Sequence, residues 1–159
     1  MTRDTAEQTA FSVLAGLLLL IAVSPLSSTA ALCGAAAVVA CAAWQGRPLA
    51  AACAAGICGW AAACFGLHPL PAVLWPAIVL ADVSFSLLLV WFCKERRLFP
   101  RLTLLLLCLA ARQEVLYLTV RILMPLLHCS GGGASPLPLL LGNLAVLLRR
   151  RKPPSRVTG

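Results

Sequence analysis

The chain has 159 residues, 61% of them apolar and 11% charged, with a net charge of +8 and a mean hydropathy of +0.94. A soluble domain carries about 25% charged residues, and a water-soluble core of this length could not hide so much apolar surface. The longest polar stretches are the two ends of the chain, which excludes a self-contained soluble nucleotide-binding or catalytic head.

Six apolar runs follow one another at residues 10–24, 30–44, 48–67, 71–93, 102–129 and 136–148. A straight helical crossing of a bilayer needs about 20 residues, so the first, second and sixth runs are short and the fifth is long enough to tilt. The short first pair also reads as a re-entrant hairpin, which would leave four full spans. Residues 11–23 have the length of a signal-peptide core. The segment before them sets Asp4 and Glu7 against Arg3, however, and is not positive as a secretory signal requires, so a retained first helix is expected.

Each break has a local cause. Ser24-Pro25 and Gln45-Gly46-Arg47-Pro48 form turns, Pro69 and Pro71 bracket the next turn, and Phe99-Pro100 closes a basic loop. Residues 130–136, Ser-Gly-Gly-Gly-Ala-Ser-Pro, form a flexible link before the last run. Pro76 and Pro125 lie within runs, where proline kinks a helix.

Outside the apolar runs, positive charge is confined to alternate gaps. Arg47 follows the second run, Lys94, Arg96, Arg97 and Arg101 the fourth, and Arg149, Arg150, Arg151, Lys152 and Arg156 the last, while Arg3 precedes the first. The gaps at 25–29, 68–71 and 130–135 carry no charge. This is the positive-inside pattern of a polytopic chain. It predicts an all-α membrane helix bundle of six transmembrane helices with both termini inside. Residues 1–9 would be a cytoplasmic segment, 10–148 one integral membrane domain, and 149–159 a basic cytoplasmic tail. The basic clusters are short and lack interleaved aromatics, so membrane lipid rather than nucleic acid is the expected partner.

The second and third runs are rich in alanine, glycine and cysteine, with Gly56 and Gly59 in the third. Small residues let helices approach closely in lipid, so a tight interface is expected there, internal or with a partner. The eight cysteines include no CxxC pair and lie mostly among Ala and Leu. They read as small packing residues rather than metal ligands or disulfides.

Asp82, Arg112, Glu114 and Arg121 are ionisable residues inside the fourth and fifth runs. Each costs roughly 2.5–3.5 kcal/mol at mid-depth if it faces lipid, so such residues face protein or water and usually pair. Asp82 lies eleven residues before Cys93 and Arg112 eleven after Arg101. Across the hairpin both stand about 16 Å from the cytoplasmic edge, and an Asp82–Arg112 pair is expected. Glu114, Tyr117 and Arg121, at i, i+3 and i+7, form a stripe on another face, flanked by Gln113, that would meet a partner or a cavity. No catalytic set, cofactor motif or metal-ligand cluster appears: Ser84 and Ser86 have no histidine nearby in sequence, and His68 and His128 sit at helix ends.

The stretch 80–151 resembles the rod-shape-determining MreD family. Ser86-Leu-Leu-Leu-Val-Trp-Phe-Cys-Lys-Glu-Arg-Arg-Leu-Phe-Pro-Arg looks like that family's helix and basic loop. A long helix with mid-membrane polar residues follows, then a short one ending Leu147-Leu148-Arg149-Arg150-Arg151. Residues 56–66 sit where the family has a glycine-flanked segment carrying an aspartate, and this chain has no acid there. The resemblance implies a non-catalytic scaffold in the bacterial inner membrane. Its partners would be an MreC-like protein, the actin-like MreB, a SEDS-family glycosyltransferase and a class B penicillin-binding protein. The alternative resemblance is to the substrate-binding component of energy-coupling-factor vitamin transporters. Glu114, Tyr117 and Arg121 would then line a vitamin pocket.

Overall fold

The computed structural model describes residues 3–67, 70–92, 98–127 and 136–149. They form an all-α bundle of six helices: α1 (Arg3–Val23), α2 (Ser28–Trp44), α3 (Pro48–Cys64), α4 (Trp75–Phe92), α5 (Leu98–Leu127) and α6 (Leu137–Arg149). One 3₁₀ turn, Ala72–Leu74, leads into α4. Three stretches are long and apolar enough to cross a membrane, Asp4–Val23, Ala72–Phe92 and Arg101–Leu126. The other helices are apolar but shorter, with 17 residues in α2 and α3 and 13 in α6. Large apolar side chains cover the outside, among them Phe11 and Leu18 on α1, Trp60 on α3, Trp91 on α4 and Ile122 on α5. Such a surface suits lipid rather than water and marks a membrane protein.

The apolar pattern predicts that the first helix starts near residue 10, but it starts at Arg3. Asp4 lies in the first turn, where the helix dipole favours negative charge. The Thr9 and Ser12 hydroxyls donate to the carbonyls of Thr5 (2.7 Å) and Gln8 (2.9 Å), one turn back. These polar residues are satisfied on their own helix, so the chain has no reason to leave it. Residues 3–9 therefore belong to α1, whose 21 residues reach about 31 Å. The shortness that suggested a re-entrant hairpin is absent from α1.

The helix ends follow from their residues. Ser27, in extended conformation, accepts a hydrogen bond from the Ala30 amide and caps α2. α2 and α3 end alike, each with a glycine at positive φ: Gly46 at 73° and Gly66 at 65°. At the first end the Gly46 amide donates to Ala43 and the Arg47 amide to Ala42. At the second the Gly66 amide donates to Ala63 and the Leu67 amide to Ala62. These are two Schellman closures, which satisfy carbonyls that a helix end otherwise leaves bare. Pro48 opens α3 at the first position, where a proline needs no hydrogen-bond partner. Pro76, expected to kink its run, is the second residue of α4, and Pro100 the third of α5; both fall in a first turn and interrupt nothing. Pro125 does lie inside α5, in its last turn.

α2, α3 and α4 form the centre of the bundle. α1 covers the seam of α2 and α3, α5 packs on α4, and α6 packs on α2 and hardly touches α5. The small residues set this arrangement, so the close interface expected of them is internal. Ala31, Ala35, Ala40, Ala51, Ala54 and Ala62 are buried between α2, α3 and their neighbours. A Cβ on Gly142 of α6 would stand 2.8 Å from both Ala36 Cβ and Cys33 O, and 2.9 Å from Ala37 N. α6 thus rests on the backbone of α2. Gly16 of α1 abuts Cys58 of α3, and Gly56 and Gly59 of α3 abut Val83 and Asp82 of α4.

Candidate functional site

The site is an ion pair between α4 and α5 that lines a small cavity. Arg112 is 2% exposed and its guanidinium lies against Asp82. Nε donates to Asp82 Oδ1 at 2.8 Å, and Nη2 stands 2.8 Å from the same oxygen. Nη1 donates to Gln113 Oε1 at 2.8 Å. All three guanidinium nitrogens are therefore engaged within the chain. Two charges of opposite sign in a low-dielectric setting attract strongly and hold only when their hydrogen bonds are complete. The depth count across the basic loop anticipates this pair, and the structure brings it together.

Gly59 makes room for it. Asp82 Oδ2 lies 3.1 Å from where a Cβ on Gly59 would be, so a side chain there would press on the carboxylate. Beside the pair is a cavity of about 50 Å³ to which every helix contributes: Leu20, Ala36, Cys58, Asp82, Arg112 and Leu139 are among its walls. At 10–15 Å³ per water it has room for about three to five water molecules. Pockets for drug-sized ligands run to about 300–1,000 Å³. The Ser84 and Ser86 hydroxyls donate to the carbonyls of Ala81 (2.9 Å) and Val83 (2.8 Å) on their own helix, so neither is held by a base.

A second polar cluster ties α2, α5 and α6 together. The Trp44 indole Nε1 donates to Asn143 Oδ1 at 3.2 Å, Asn143 Nδ2 donates to Leu139 O at 2.9 Å, and the Arg101 guanidinium carbon sits 5.7 Å from the Trp44 ring centre. Trp44 and Asn143 are both buried. Sequence reading missed Asn143, whose signal was a lone amide in an otherwise apolar run. Arg101 is half-buried in its cation–π contact, an interaction favoured where an arginine leaves water. Asn143→Leu removes the indole's acceptor and is expected to lower stability by about 1–3 kcal/mol, read as the chemical-denaturation midpoint in detergent. An unchanged midpoint would show that the bond contributes nothing.

The remaining expected positions divide. Glu114, Tyr117 and Arg121 form an exposed stripe on the outside of α5 and do not line the cavity. α5 turns its opposite face, with Arg112, to α4, so the stripe lies away from the ion pair. Arg47 is exposed at the α2–α3 turn. Arg149 ends α6. Lys94, Arg96, Arg97, Arg150, Arg151 and Lys152 lie outside the described residues, as do His68, His128, Cys93 and Cys129. Cys33, Cys41, Cys53, Cys58, Cys64 and Cys108 are free thiols. Among the described residues no three His, Cys, Asp or Glu side chains gather as a metal-ligand group. Comparison of the chain with family models, with curated proteins and with solved structures finds no match.

Proposed function

We propose that the chain is a non-catalytic membrane scaffold of the MreD kind, serving cell-wall elongation in the bacterial plasma membrane. It would cross six times with both termini and the basic loops in the cytosol. One observation carries this reading. The buried polar groups, Asp82 with Arg112 and Trp44 with Asn143, are matched to one another, whereas the ionisable residues of the α5 stripe face outward. A protein built this way holds its own shape and offers unmatched chemistry to neighbours, rather than gathering reactive groups round a substrate.

Two further features support it. A groove of about 750 Å³ runs between α1 and α6 and is floored by Gly34, Ala37 and Cys41 of α2, the small-residue surface that a neighbouring transmembrane helix packs on. The family's acid, missing from α3, has a counterpart in space: Asp82 sets its carboxylate from α4 against Gly59 of α3. The vitamin-carrier reading lacks such support, since the cavity at the pair is small and the α5 stripe turns away from it.

The test is depletion of the chain in its host, together with recovery of a tagged full-length copy in mild detergent. The scaffold reading expects rod-shaped cells to round up, and an MreC-like protein, a SEDS-family glycosyltransferase and a class B penicillin-binding protein to be recovered. Rods that keep their shape on depletion would sink it.

A further inference from the structure

Glu114 stands at the middle of the 26-residue stretch Arg101–Leu126. It is exposed, as are Tyr117, at 59%, and Arg121. None of the three has a hydrogen bond or ion pair among the described residues. At 100° per residue Glu114 lies about 200° round α5 from Arg112, on the side away from α4. Each edge of the span is about 18 Å off along the helix, far beyond the reach of a glutamate side chain. Arg121 can bend toward an edge, but Glu114 cannot. Lipid therefore leaves a mid-depth carboxyl uncompensated, and a neighbour must meet it.

The face round it is shaped for a helix. Leu107, Ala110, Glu114, Tyr117 and Arg121 are all exposed and alternate in steps of three and four, the spacing of a coiled-coil seam. α5 is not sealed on that side: a groove of about 470 Å³, bordered by Leu106, Ala110 and Gln113 of α5 and Leu137 and Leu140 of α6, opens beside the seam. A second copy of this chain is the wrong occupant. Copies inserted in one orientation and paired about a two-fold axis would set Glu114 against Glu114 and Arg121 against Arg121 at equal depth, and like charges there repel.

Resting on the scaffold reading, we infer that the outer face of α5 seats one transmembrane helix of a different protein. That helix presents a cation or strong hydrogen-bond donor opposite Glu114, and a carboxylate two turns nearer the Leu127 end, opposite Arg121. Tyr117 packs between the two contacts.

The probe is a single-span tester helix of leucine and alanine with one central lysine, and one aspartate seven residues toward the end that meets Arg121. It is co-expressed with the tagged full-length chain and recovered in mild detergent. The wild-type chain retains the tester. Glu114→Leu lowers retention by about ten-fold, the scale of one intramembrane polar contact. Glu114→Lys with a tester carrying central glutamate restores it. Glu114 is exposed and makes no hydrogen bond or ion pair among the described residues, so an unchanged denaturation midpoint for Glu114→Leu keeps this loss separate from misfolding. The inference is overturned if the wild-type chain fails to retain the tester, or if Glu114→Leu retains it equally. Equal retention of a plain leucine–alanine helix, or recovery of two differently tagged copies of this chain through Glu114, overturns it as well. Cell rounding on depletion is read independently of the tester, so the scaffold reading and this seat can fail separately.

Discussion

Asp82→Ala is expected to lower the stability of the bundle by about 3–5 kcal/mol, the cost of leaving one member of a buried ion pair alone. Arg112 is 2% exposed and spends Nε and Nη2 on Asp82 Oδ1. With the carboxylate gone, Gln113 Oε1 still accepts from Nη1, but it is neutral and leaves the positive charge uncompensated. Removing both charges, as in Asp82→Leu with Arg112→Met, is expected to recover most of the loss, because an apolar pair of similar bulk has no desolvation to overcome. Exchanging the two charges is a poorer control. Asp82 Oδ2 already lies 3.1 Å from the position of a Gly59 Cβ, and the longer arginine would run into α3. The measurement is the denaturation midpoint of the purified variants. A double variant no more stable than Asp82→Ala would mean that the lost stability does not come from the stranded charge.

Gly142→Val is expected to cost about 3 kcal/mol, near the upper end for overpacking. Two of the three atoms that a Cβ would meet below 3 Å, Cys33 O and Ala37 N, belong to the backbone of α2 and cannot rotate aside. α6 must lift from α2, which also pulls Asn143 from the Trp44 indole next to it in the fold. Gly34→Ala, on α2, is the control. Its Cβ would meet Leu19 at 3.5 Å, an ordinary contact, and the midpoint should hardly move. Equal midpoints for the two variants would refute the close crossing of α2 and α6.

The elements were legible and their partners mostly were not. Six apolar runs separated by Gly, Pro and charged residues yield six helices because those breakers act locally. The pair was legible because counting residues from the shared basic loop fixes depth on two adjacent helices, and Asp82 and Arg112 stand 2.8 Å apart. The start of α1 was hidden because the polar residues before the apolar run belong to the same helix, where the Thr9 and Ser12 hydroxyls bond to the carbonyls of Thr5 and Gln8. The place of α6 was hidden for another reason. α2, on which it rests, is apolar on every side and carries no inward-facing stripe, so hydrophobicity cannot say which of its faces meets which neighbour. The deciding signal is size: Gly142 fits the Cys33–Ala37 turn of α2, and one glycine among leucines does not announce its counterpart. The same limit hid Gly59 behind Asp82, and Asn143 beneath Trp44.

The closed ends of α2 and α3 bear on the membrane itself. Seventeen residues make a rod of about 26 Å, a few ångströms short of a hydrocarbon layer of about 30 Å. Because Gly46 and Gly66 return their amides to the last carbonyls, each of these ends can rest below the headgroups without stranding them. α5, at 30 residues, spans about 45 Å. Set in a bilayer, the short helices draw the leaflets together where they meet lipid and α5 holds them apart, so lipids of different chain length sort around the molecule.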